Sequence, residues 1–189
     1  DEDLEGIYYG LDFLSKVRMG QDVPLSGKTV VIGGGNVAVD VARTALRSGA
    51  HDVQIFCLEA RDEMPAWEKD VEEAIDEGII INPEASPSNI TQKDGRVTGI
   101  EFTHCVCVFD DEGCFNPTCD LEDTRLVEAD NILISIGQAA DMSFLSADSQ
   151  LERELWGALV VDTNTLATNV PGVFAGGDFT TGPTFVIRA

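Results

Sequence analysis

Basic side chains are scarce in this chain of 189 residues: 12 Lys and Arg stand against 34 Asp and Glu, a formal net charge of −22. A surface so acidic repels nucleic acid and anionic membranes, which removes both as partners. Simple solubility accounts for the excess ahead of a basic protein partner or a salt-rich setting. Long hydrophobic runs are missing as well, and none approaches the roughly 20 residues of a membrane-spanning helix. The five cysteines, Cys57, Cys105, Cys107, Cys114 and Cys119, include no C-x-x-C pair. Neither a thioredoxin-type redox pair nor a zinc ribbon is therefore indicated. An odd count without a disulfide framework fits a reducing cytoplasm. A four-cysteine metal site is the minor alternative to free buried thiols. Only two histidines occur, His51 in a turn and His104 in a strand pattern, and neither is given a role.

What is present begins with Lys28-Thr-Val-Val-Ile-Gly33-Gly34-Gly35-Asn36-Val37-Ala38-Val39-Asp40-Val41-Ala42-Arg43. A short β-branched run breaks into three glycines, and a helical pattern follows. In that strand–turn–helix context a G-x-G-x-x-[GA] spacing means dinucleotide binding. Gly33 allows the tight turn, and Gly35 lets the backbone approach a pyrophosphate. Ala38 is small enough for the helix to lie against the strand. The free N–H groups around Asn36 and Val37 then face the phosphates at the favourable end of the helix dipole. Asp40 is placed in the first turn, where steadying the helix start is favoured over pointing toward the bound nucleotide. Glu59 ends the next strand, 24 positions beyond Gly35, near the roughly 20-residue interval of the ribose-binding acid. A carboxylate there accepts hydrogen bonds from the 2′- and 3′-hydroxyls of NAD and repels the 2′-phosphate of NADP.

Taken in order, the chain opens with a short helix over about 10–17 inside an amphipathic patch that starts at Ile7. The first strand is 28–32, the first helix 36–48, and the second strand 53–58. Pro65 suits the first turn of a helix running to Glu77, with Gly78 as its cap, and 79–81 reads as a third buried strand. From Asn89 to Leu133 the period changes to that of antiparallel strands, with Asp94-Gly95 as a hairpin turn. Cys105 and Cys107 alternate with valines and so share a face. Cys114 and Cys119 fall in a Gly/Asn/Pro turn, and Leu126-Val127 makes a short strand. The apolar run 131–136 suits a return to a parallel sheet, and Gly137-Gln138 stands at its carboxyl end, where ligands of such sheets bind. Beyond it are expected a short helix at 151–156, a strand at 159–161 and a polar connection over 163–170. Another strand precedes Gly176-Gly177-Asp178, and a helix starts at Thr184. A chain that opens at Asp1 without an initiator Met and closes on that apolar start is expected to be a piece of something longer.

Four motifs together resemble the flavoprotein subunits similar to the small (β) subunit of NADPH-dependent glutamate synthase. These belong to the class of two-dinucleotide-binding, pyridine nucleotide-disulfide oxidoreductase-like enzymes. The motifs are Gly33 to Arg43, Glu63-Met64-Pro65-Ala66, Ser135-Ile136-Gly137-Gln138 and Gly172-Val-Phe-Ala-Gly176-Gly177-Asp178. The resemblance implies an α/β fold: a Rossmann-like parallel sheet with an antiparallel meander, plus part of a second, FAD-binding domain. It divides the chain into a connecting segment (1–25), an NAD(P)H-binding domain (26–140) and an incomplete C-terminal part of the FAD domain (141–189). Gly177 and Asp178 then match the positions that contact the FAD diphosphate and ribityl chain, and the first FAD half and the iron–sulfur front end are absent. Members using NADPH carry two consecutive arginines at the end of the second strand. Here Leu58-Glu59 occupies that place, with Arg61 two residues on, which favours NADH over NADPH.

The resemblance further implies an FAD-dependent oxidoreductase passing hydride from NADH to FAD, and electrons on to an iron–sulfur or synthase partner. Hydride transfer needs orientation more than acid–base groups, in keeping with the lack of a Ser-His-Asp set. The alternative is a non-catalytic nucleotide-sensing module, which would have no use for Gly177-Asp178. A self-contained short-chain dehydrogenase would want Tyr-x-x-x-Lys, but Tyr8 and Tyr9 are followed four residues on by Asp12 and Phe13.

Overall fold

The computed structural model describes residues 4–146 and 148–183. The chain divides into two units, 1–137 and 138–189. The first runs β1 (Ile7–Tyr9), α1 (Gly10–Arg18), β2 (Lys28–Ile32), α2 (Asn36–Arg47), β3 (Asp52–Phe56), α3 (Glu68–Asp76) and β4 (Ile80–Asn82). It continues with β5 (Ala85–Lys93), β6 (Arg96–Phe109), β7 (Phe115–Glu128) and β8 (Asn131–Ile134). Five strands form a parallel sheet in the order β1-β8-β2-β3-β4, and β5-β6-β7 form an antiparallel one.

Both faces of the parallel sheet are covered, which suits the apolar runs Val30–Ile32 of β2 and Ile132–Ile134 of β8. Val31, Ile55 and Leu133 point to one side, where they meet Phe13 of α1 and Ala38, Val41 and Ala42 of α2. Val30, Ile32, Phe56 and Ile132 point to the other, against Val97, Ile100, Phe102 and Val127 of the antiparallel sheet. The rings of Phe56 and Phe102 stack 4.1 Å apart across that boundary. Asn131 is buried among these apolar groups, and its amide donates to the Ser26 carbonyl and to Thr29 Oγ1.

Several expectations are corrected here. Residues 7–9 are not a lead-in to the helix but an edge strand, with Tyr8 in register with Leu133. The edge of β8 supplies the hydrogen bonds, so the strand forms without a pattern of its own. Helix α3 starts at Glu68 rather than at Pro65, for a reason given below. The Asp94-Gly95 hairpin is present, with φ of 54° and 81°, as a two-residue turn demands. Beyond it, Cys119 and Leu126-Val127 all lie in the 14-residue strand β7. Most of β7 is exposed, so pairing with β6 creates the strand and no alternation marks it. A register shift between Cys105 and Cys107 breaks the expected shared face: Cys105 is buried and Cys107 exposed. Asp40, the fifth residue of α2, lies past the first turn. Burial first, and then the nearby charge of Asp70, raises its pKa.

The second unit has little regular structure among its described residues. Arg153 bridges Leu159 and Ala167 bridges Phe174, replacing the expected helix at 151–156 and the strands at 159–161 and before Gly176. Side chains hold the turns instead. Asp162 Oδ1 accepts from the Asn164 and Thr165 N–H groups and from Thr165 Oγ1. Asn169 accepts from the Glu152 N–H and donates to the Gln150 carbonyl. A single helical turn, α4 (Asp178–Thr181), follows Gly177. The expected helix start at Thr184 lies outside the described residues.

Candidate functional site

The chain runs from β2 outward through β3 and β4, then returns to place β8 on β2's other side. The order of strands therefore reverses between β2 and β8. A crevice outside the carboxyl ends of the strands at such a point is where open α/β sheets take ligands. Gly33 lies there. Its N–H donates to the Phe56 carbonyl at 2.8 Å, and the Ser135 N–H donates to the Ile32 carbonyl at 2.8 Å, so the loop leaves a β2 end pinned on both sides.

The three glycines differ in what they require. Gly33 has φ of +137°, and a Cβ on it would lie 2.3 Å from the Ser135 carbonyl oxygen. A Cβ on Gly34 would lie 2.5 Å from Glu59 Oε2 and 3.1 Å from Cys57 Cβ. Gly35 caps α2 with φ −91° and ψ 173°, a conformation open to any residue, and a Cβ there would meet nothing within 4 Å. The protein itself gives no reason for glycine at 35. The room beside Gly35, next to the N–H groups of Asn36 and Val37 that have no acceptor within the helix, is a cradle that a side chain would fill. Unpaired N–H groups at a helix start favour an anion.

Glu59 stands against this loop, as its approach to Gly34 shows. Arg61, by contrast, turns to Glu68 with two parallel hydrogen bonds of 2.9 and 2.8 Å, and that carboxylate holds its guanidinium pKa above the ordinary value. The loop is also tied from its outer side. The Ala66 N–H donates to the Gly34 carbonyl at 3.0 Å, and the Trp67 N–H donates to Asn36 Oδ1 at 2.8 Å. Met64 and Ala66 are buried. The amides of 66 and 67 are thus spent on the glycine loop, which delays α3 to Glu68. Sequence reasoning missed this brace, although Glu63-Met64-Pro65-Ala66 was its visible signal.

Gly137, with φ of +105°, closes the first unit. In the second, Gln138 and Asp178 line one cavity of about 300 Å3 together with Arg153, Trp156 and Ala158. Gly177 precedes it with φ 62° and ψ −143°, a region essentially confined to glycine, and its carbonyl accepts from the N–H and hydroxyl groups of Thr180 and Thr181. Such a volume holds part of a flavin dinucleotide at most. Among the described residues, no group of three or more His, Cys, Asp or Glu is placed to hold a metal. None of their helices is long and apolar enough to cross a membrane.

Comparison with known proteins identifies the family and the fold. The family model described as pyridine nucleotide-disulphide oxidoreductase matches residues 2–189. The beta subunit of NADP(+)-dependent formate dehydrogenase from Moorella thermoacetica is 39% identical, over 100% of this chain and 27% of that subunit. The NADPH glutamate synthase small chain of Azospirillum brasilense is 33% identical, over 98% of this chain and 41% of the relative. The chain thus spans well under half the length of these curated relatives. Among solved structures, thioredoxin reductase of T. acidophilum superposes with a TM-score of 0.69 at 25% identity, covering 95% of this chain and 51% of that one. FprA of Mycobacterium tuberculosis, in complex with NADPH, reaches 0.75 at 19% identity, over 98% and 55%, a likeness of fold. The parallel sheet with its antiparallel companion is the arrangement shared with both.

Proposed function

This chain belongs to the pyridine nucleotide-disulphide oxidoreductase family, and from that premise we propose that residues 26–140 bind reduced nicotinamide dinucleotide for an FAD-dependent oxidoreductase. Gly33, Gly34 and Gly35, with the amides of Asn36 and Val37 and the small Ala38, receive the pyrophosphate. Gly137 follows β8 at the sheet's carboxyl end, and Gln138 is the other residue of that pair assigned to cofactor binding. Residues 141–189 are an incomplete part of the FAD domain, in which Gly177 and Asp178 take their share of the flavin nucleotide. FAD, when bound in the whole protein, supplies the hydride acceptor. This chain's own residues bind and orient the donor. The observation that carries the reading is Gly35, a glycine that only a ligand requires.

The dinucleotide we favour is NADH. Glu59 places a carboxylate against the loop, where it accepts hydrogen bonds from ribose hydroxyls and repels a 2′-phosphate, while Arg61 is engaged by Glu68. The two curated relatives are named for NADP(+) and NADPH, so NADPH is the second reading, and it requires Arg61 to leave Glu68. Electrons then pass to a partner: the relatives are named as a beta subunit and a small chain, and the four motifs imply an iron–sulfur or synthase partner. Calorimetric titration with NADH and with NADPH at one salt concentration is the test. Tighter NADH binding, weakened at least tenfold in Glu59→Ala, is the expected result. Equal or tighter NADPH binding overturns the NADH preference, and no binding of either to the flavin-loaded full-length protein overturns the nucleotide reading.

A further inference from the structure

Cys105 and Cys119 are far apart in sequence separation for a turn, yet they stand directly opposite each other on β6 and β7. Residues opposite one another in an antiparallel pair have Cα atoms about 4.5–5.5 Å apart, inside the roughly 4.4–6.8 Å that a disulfide spans. Directly opposed residues of an antiparallel pair put their side chains on the same face. All five cysteines are free thiols. No other cysteine shares this placement: Cys107 is opposite Thr118, Cys114 sits in the connecting turn, and Cys57 gives its thiol to the Glu59 carbonyl. We propose that Cys105 and Cys119 form a dithiol site that a low-molecular-weight disulfide converts into an intramolecular disulfide, stapling β6 to β7.

The order of events follows from accessibility. Burial, with Cys119 next, pushes the Cys105 thiol up to about 11, so it stays protonated near neutrality. Cys119 is the more exposed of the two and attacks first. Its thiolate takes one sulfur of the small disulfide and releases one thiol. Cys105 then gives up its proton, attacks the Cys119 sulfur and expels the second thiol. Two protein thiols become one S–S bond, and the small disulfide takes up two electrons and two protons to leave as two thiols. The location gives the bond a task. Pairing of β6 with β7 shifts register three times between Thr103 and Phe109, so this half of the hairpin has the poorest ladder, and the staple falls within it.

Incubation of the chain with glutathione disulfide, followed by thiol blocking, digestion and mass mapping, tests the proposal. The expected product is a peptide pair linked through Cys105 and Cys119, two hydrogens lighter than the reduced pair and restored by excess dithiothreitol. Amide exchange across 104–120 should slow in the oxidised form. In Cys119→Ser, whose fold is checked by circular dichroism, Cys105 should remain a thiol. A Cys57–Cys105 or Cys114–Cys119 link overturns the assignment, as does recovery of Cys105 as a blocked free thiol in the wild type. Unchanged exchange over 104–120 in the linked form overturns the bracing role.

Discussion

The chain has two glycine-bearing loops that end in or open a helix, one at 33–35 and one at 176–178, and they are held in place by opposite means. The first emerges from the centre of a parallel sheet, with backbone hydrogen bonds to β3 and β8 and a brace from 66–67. The second lies in a unit of turns and isolated bridges, where Thr180 and Thr181 fold back on the Gly177 carbonyl. In the first, each glycine can be assigned a separate cause: a strained φ and a close carbonyl at 33, a neighbouring carboxylate at 34, and open space at 35. In the second, Gly177 sits at φ 62° and ψ −143°, a backbone region essentially confined to glycine. A rigid surround lets an unexplained glycine point to a ligand. A loop built from its own turns gives no such contrast.

That contrast can be broken. The largest effect is expected from Gly33→Ala, where both φ and the Ser135 carbonyl oppose a Cβ; it should cost about 3 kcal/mol or more, measured by denaturant unfolding. A cost below about 1 kcal/mol would mean the loop is not clamped as described. Asn131→Ala comes next. It leaves the Ser26 carbonyl and Thr29 hydroxyl unpaired in a buried site, for about 2 kcal/mol, and the loss should appear in the first unit's transition.

A smaller, pH-dependent effect concerns the ion pairs that tie α2 to α3. Arg43 first, and then Arg47, hold the Glu77 carboxyl below its usual 4.5. A depressed carboxyl pKa stabilises the fold above the unfolded value, and the contribution is lost as pH falls through the folded one. Glu77→Gln should therefore lower stability at neutral pH and flatten its decline below about pH 4.5. Parallel acid limbs in the two proteins would show that solvent screens the pair completely. Gly35→Ala should change stability least, by under about 0.5 kcal/mol, since its methyl meets no protein atom. Nucleotide affinity should nevertheless fall at least tenfold in the same variant. If affinity holds, the cradle is not where the pyrophosphate lies.

Local chemistry made much of the fold legible. The β-branched run at 28–32, the alanine-rich face of α2 and the Asp94-Gly95 turn each carry their structure in their own side chains. The apolar run at 132–134 announced a strand covered on both faces. Strands β1 and β7 were not legible that way. Each forms because another strand offers hydrogen bonds, so neither needed an apolar alternation to mark it. The bulge that separates Cys105 from Cys107 is equally invisible to a period-2 reading, which assumes an unbroken register.

The candidate site divides along the same line. The sequence alone determined the strand–turn–helix at Gly33–Ala38, the small residue at Ala38 and the acid at Glu59, because spacing along one chain segment sets where those groups fall. Only the tertiary structure decided that Arg61 belongs to Glu68, that Asn36 and Gly34 are tied to Trp67 and Ala66, and that Cys105 faces Cys119. Those pairings join residues whose separation in sequence carries no period. They depend on how the sheet orders its strands and on where each backbone amide finds an acceptor, which no local pattern records.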